Sequence, residues 1–62
     1  MTLSLTDELR VALAAAALWR PRGNQPDRGA FVRNALSSAM NWTRKGRPLD
    51  TLPILRRLAD RA

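Results

Sequence analysis

Val11-Ala12-Leu13-Ala14-Ala15-Ala16-Ala17-Leu18-Trp19 is an unbroken apolar run in a 62-residue chain whose net charge is +6. Coiled as a helix, nine residues make about two and a half turns and leave no polar side. A helix that is apolar all round is expected to be buried all round. A chain this short has little protein with which to do that. The run therefore predicts an all-α domain with this helix at its centre, and a second chain or a partner completing the burial.

Working back from the run, Ser4-Leu5-Thr6-Asp7 reads as a helix start. A hydroxyl cap is followed three residues on by a carboxylate. Asp7 and Glu8 then fall in the first turn, where the helix dipole favours negative charge. Pro21 ends the helix, because the residue before a proline avoids the helical region. Helix one is thus expected over about 4–19. Leu5, Leu9, Ala12, Leu13 and Ala16 share one face, and Val11, Ala15 and Leu18 share another. The small residues Ala12, Ala15 and Ala16 suit a close helix–helix approach, so a homodimer through helix one is predicted. The alternative is that alanine is present only as the best helix former, with helices two and three covering helix one.

Working forward, Arg20-Pro21-Arg22-Gly23-Asn24-Gln25 is rich in turn residues. Helix two is expected over about 25–45, with Asn24 as cap and Pro26 and Asp27 in the first turn. Phe31, Val32, Ala35, Leu36, Ala39 and Met40 recur at helical spacing, the signature of one buried face. Gly46 supplies the stop and Pro48 follows. Helix three is expected over about 51–61. Pro53 fits only in its first turn, where its missing N–H has no helical acceptor. Leu52, Leu55, Leu58 and Ala59 should face inward, and Arg56, Arg57, Asp60 and Arg61 outward. No stretch alternates like a strand, and 62 residues read as one small domain.

Composition narrows the function. The chain has no cysteine and no histidine, so disulfides and the usual metal sites are not expected. Absence of cysteine fits a reducing compartment, and a cytoplasmic location is expected. The acids preceding the apolar run do not suit a secretory signal, and nine residues fall short of the roughly 20 that span a bilayer. Most of the five acids sit at expected helix starts, which capping explains. With no His, Cys or Tyr and no paired carboxylates, no enzymatic activity and no cofactor are expected.

The charge is almost all arginine, ten Arg against Lys45, and arginine pairs bidentately with phosphate. Nucleic acid is the leading expected partner, through Arg56, Arg57 and Arg61 on helix three and Arg44, Lys45 and Arg47 around the second connection. Arg57 and Arg61, four apart, repel each other unless an anion bridges them. The connection from Lys45 to Asp50 is longer than a helix-turn-helix usually allows. A second surface is a strip of small uncharged polar residues on helix two, Asn34, Ser37, Ser38 and Asn41, flanked by Trp42. Together with Trp19, a favoured type of interface anchor, it suggests a protein partner, specifically an acidic host protein. Size, charge and missing catalytic chemistry resemble small accessory proteins of phages and plasmids. The resemblance implies an inhibitor or adaptor that occludes a host surface.

Overall fold

The computed structural model describes residues 3–61, so residues 1, 2 and 62 of the expected domain lie outside the description. The described chain forms three α-helices: α1 (Leu5–Leu18), α2 (Arg28–Arg44) and α3 (Pro53–Arg61). A single 3-10 turn, Leu49–Thr51, precedes α3. No strand occurs among the described residues.

Each boundary has a local cause. Ser4 caps α1, its hydroxyl accepting from the Asp7 N–H at 3.1 Å. Trp19 closes the other end in an extended conformation ahead of Arg20-Pro21. Helix two starts three residues later than its expected beginning, because Asp27 and not Asn24 is its cap. The Asp27 carboxylate accepts from the Ala30 N–H at 2.7 Å, and the Pro26 carbonyl is occupied by the Trp19 indole N–H at 2.9 Å. At the far end of α2, Gly46 takes φ +79°. The Gly46 N–H reaches the Thr43 carbonyl, and the Arg47 N–H reaches that of Trp42. This pair of bonds satisfies the last carbonyls of the helix, and the left-handed residue that makes it possible is most cheaply a glycine. Helix three also starts later than expected. Leu52, preceding Pro53, is held extended at ψ 130°, and its carbonyl accepts the first N–H groups of α3.

Two long-range bonds mark the topology. Arg10 on α1 donates to Asp50 at 2.8 Å, and Arg61 at the end of α3 donates to the Ala17 carbonyl at 3.2 Å. Helices α1 and α3 therefore run parallel, with α2 antiparallel to both. α1 is the central element and packs on both of the others, whereas α2 and α3 approach each other only sparsely.

The core is small. Val11, Ala14, Ala15, Ala39 and Leu52 are buried, and among the described residues Val11 is the only large side chain that is completely so. Around them pack Leu3, Ala35, Leu36, Trp42, Leu49, Ile54 and Leu55. A side chain at Gly29 would meet only the Arg33 guanidinium and the Asp27 cap, at ordinary contact distance, so no other helix crosses closely there. On α3, Leu58 is half-buried, but Ala59 is exposed and not inward as expected.

The apolar run is not buried all round. Val11, Ala14 and Ala15 point into the core, while the opposite face carries Leu5 at 82%, Leu9 at 58% and Leu13 at 60% exposure. The residues chosen for the interior are the narrow ones. A short α2 and a shorter α3 can close on a valine and alanines with good contact, but they cover less than the full circumference of α1. Ala15 is therefore inside the protomer, out of reach of any second chain, whereas Ala12 and Ala16 are half-buried beside the outward leucines.

Candidate nucleic-acid interface

The outward side of α2 presents Arg33, Asn34, Ser37, Ser38, Asn41 and Arg44, with Lys45 directly after it, all exposed. Their spacing places them on one continuous strip, opposite the face that carries Ala39 into the core. The uncharged residues Asn34, Ser37, Ser38 and Asn41 thus lie between cations on the same helix. Arg44 donates to the Asn41 side-chain carbonyl, which orients both groups.

Beside this strip, the gap between α2 and α3 forms an open groove of about 420 Å³. Phe31, Ala35, Leu52, Pro53 and Ile54 supply its apolar floor, Asn34 and Ser38 one wall, and Arg57 the α3 side. It continues past Ser38 and Pro53 to Asn41, Trp42, Lys45 and Arg47. One guanidinium therefore stands toward one end and two cations at the other. No lining residue is acidic. Gln25 Oε1, shielded from solvent at the Arg57 end, accepts no hydrogen bond within the described chain.

The acids are held elsewhere. No carboxylate stands between Asp27, which is engaged as a cap, and Asp50. Asp50 pairs with Arg10, which also contacts Asp7 at 3.4 Å. The hydrogen bond to Asp50 and attraction to it, with a smaller share from Asp7, hold the Arg10 guanidinium above the ordinary arginine value. Arg10 is the only cation in an ion pair among the described residues. The charge of the remaining cations is free to act on a partner.

The basic residues expected to act together are distributed more widely than their sequence grouping suggested. Lys45, Arg47 and Arg57 border one groove, and Arg44 lies on the adjoining strip. Arg56 is exposed on α3 and lines neither part of that groove. Arg61 turns away to α1, where it and Arg20 donate to the same Ala17 carbonyl at 3.2 and 2.9 Å. That division separates Arg57 from Arg61 without a bridging anion. Arg33 completes the strip and was missed in sequence. Its signal was available, since it stands eleven residues before Arg44, close to three helical turns.

Both tryptophans have a structural task. The Trp19 N–H donates to the Pro26 carbonyl, and Arg28 lies over its ring at 5.2 Å. The Trp42 N–H donates to the Pro48 carbonyl at 3.1 Å and to the Thr51 hydroxyl at 3.0 Å. Arg47 covers its ring at 4.6 Å. Each connection is thus closed in the same way: the indole at a helix end clamps the carbonyl of a proline further along, and an arginine caps the ring. Trp42 also reaches the groove, so the residue that orders the second connection helps shape the candidate surface.

Among the described residues, no helix is long and apolar enough to cross a membrane. The chain matches no known family model, and neither a curated protein nor a solved structure proved similar to it.

Proposed function

We propose that this protein is a non-enzymatic regulator that binds duplex nucleic acid in the cytoplasm through the outward strip of α2. The observation that carries this reading is the acid-free surface formed by that strip and the adjoining groove. Arg33 and Arg44 are placed to engage phosphates or base edges, and Lys45, Arg47 and Arg57 to neutralise the backbone. Asn34 and Asn41 are residues of the type that reads adenine in the major groove, and serines bond to several bases. The width of an α-helix matches that groove. This joins on one helix the polar strip and part of the basic set that the sequence presented as separate sites.

Five cations on the surface imply a salt slope of about −4.5 if each contacts one phosphate. Affinity for a random-sequence duplex, followed by fluorescence anisotropy, should fall about 500-fold between 50 and 200 mM salt. Arg44→Glu with Lys45→Glu should abolish the binding, while Arg20→Glu should weaken it far less. Absence of binding at 20 mM salt would refute the reading.

The groove floor favours a second reading. A phosphodiester has no need of Phe31, Leu52 and Ile54, whereas an acidic protein segment with an apolar anchor would use them. In that case the chain is an inhibitor or adaptor that occludes a host protein. Its capture of one partner from host lysate would survive nuclease and be lost on Ser38→Arg.

A further inference from the structure

We infer that the outward face of α1 is a seam for a second copy of this chain, joined antiparallel about a two-fold axis near the middle of the helix. The seam residues are Leu5, Leu9, Ala12 and Ala16, at spacings of four, three and four, with Leu13 at its edge. This is the repeat of a left-handed helix pair. It lies opposite the face that carries Val11, Ala14 and Ala15 into the protomer's core. The surface is independent of the α2 strip.

The order of large and small residues selects the occupant and its direction. In an antiparallel pair about this axis, Leu5 stands opposite Ala16 of the second copy, and Leu9 opposite Ala12. Every layer then holds one leucine and one alanine, so the separation between helices is constant along the seam. A parallel pair would stack leucine on leucine at one end and alanine on alanine at the other. That arrangement leaves the helices splayed or a void between them, and both lose packing. Antiparallel pairing also opposes the two helix dipoles. The seam itself carries no charge, so the protomers' net charge of +6 acts across it only from the periphery.

The small size of the seam limits its strength: five side chains per protomer are far fewer than the roughly 20–30 residues a side of a standard stable interface. The dimer should accordingly be weak, with a dissociation constant on the order of 10–100 µM.

Sedimentation equilibrium on the full chain without nucleic acid, from about 2 to 500 µM, tests this inference. The apparent mass should rise from that of one chain toward that of two. Leu9→Glu and, separately, Leu13→Lys should weaken association at least about tenfold while leaving the helical circular dichroism unchanged, because both leucines lie outside the protomer's core. In the otherwise cysteine-free chain, a mixture of Leu5→Cys and Ala16→Cys proteins should oxidise to the mixed disulfide in preference to either homodimer. A single-chain mass at 500 µM would overturn the inference. So would undiminished association of both variants, loss of helicity in both, or preferential Leu5→Cys self-crosslinking.

Discussion

Truncating Val11 to alanine should be the most damaging conservative change in α1, and the same change at Leu9 should be nearly silent. Among the described residues, Val11 is the only large side chain that is fully buried. Removing its two methyl groups forfeits about 1.6 kcal/mol of transfer free energy. A residual cavity of about 40 Å³ adds about 1 kcal/mol. The better helix propensity of alanine returns about 0.5 kcal/mol. The net loss is about 2 kcal/mol, out of roughly 3–9 kcal/mol expected for a domain of 62 residues. For a domain of this size it corresponds to a fall in Tm of about 8–16 °C. Leu9 is 58% exposed in the protomer, and Leu9→Ala should shift Tm by no more than about 2 °C. Thermal unfolding followed by circular dichroism at 2 µM protein, below the expected dimer range, makes the comparison. Urea titration read by Trp42 and Trp19 fluorescence provides an independent midpoint. If Leu9→Ala costs as much as Val11→Ala at that concentration, the assigned inner face of α1 is wrong, and the seam argued from its outer face fails with it.

The other expectations concern the helix ends and connections. Gly46→Ala should cost about 1–2 kcal/mol, because φ +79° is strained for any residue with a Cβ. No neighbour lies within 4 Å to add a clash, so a larger loss in urea unfolding would point to another cause. Asp27→Ala should lower stability by about 1 kcal/mol and raise hydrogen exchange at the Ala30 amide, which Asp27 accepts at 2.7 Å. Trp42→Phe removes the N–H shared by Pro48 and Thr51. It should loosen the second connection and weaken duplex binding about tenfold or less, while heteronuclear relaxation shows faster motion confined to 45–51. Asp50→Asn should leave the unfolding midpoint unchanged, since the ion pair with Arg10 is exposed on both sides. It should also strengthen duplex binding slightly by removing a nearby carboxylate.

Much of the fold was legible because its signals are local. Ser4 ahead of Asp7, Pro21 after Trp19, and Gly46 before Pro48 are each instructions that the backbone carries out within a few residues. The period of Phe31, Val32, Ala35, Leu36, Ala39 and Met40 likewise requires no knowledge of the partner helix, although Met40 at its edge is left exposed and not buried as expected. The two late starts arose where side chains competed for one role. Asp27 and not Asn24 is the cap, and the Pro26 carbonyl that a longer helix would use accepts the Trp19 indole N–H. Leu52 was drawn out of the helix by Pro53 and into the core.

The candidate site was legible only in part. Its ingredients, an uncharged strip on α2 and cations near it, could be read from residue types, but not their combination into one surface. That depends on α3 running parallel to α1 with only sparse contact to α2, which leaves a groove between them. It depends also on Arg10 drawing Asp50 toward α1 and on Arg61 being bonded to Ala17. These are contacts between residues 40 and 44 positions apart, and no local pattern encodes them.

By itself the sequence determined that this chain is helical, where its helices stop, and that its exterior is arginine-rich, because propensity, capping and charge belong to residues and their near neighbours. Only the tertiary structure decided which side of the Leu/Ala helix is the interior. A helix with no polar side offers two apolar faces of similar helical propensity. The choice between them falls to fit: α2 and α3 close on Val11, Ala14 and Ala15, and Leu5, Leu9 and Leu13 are left facing out.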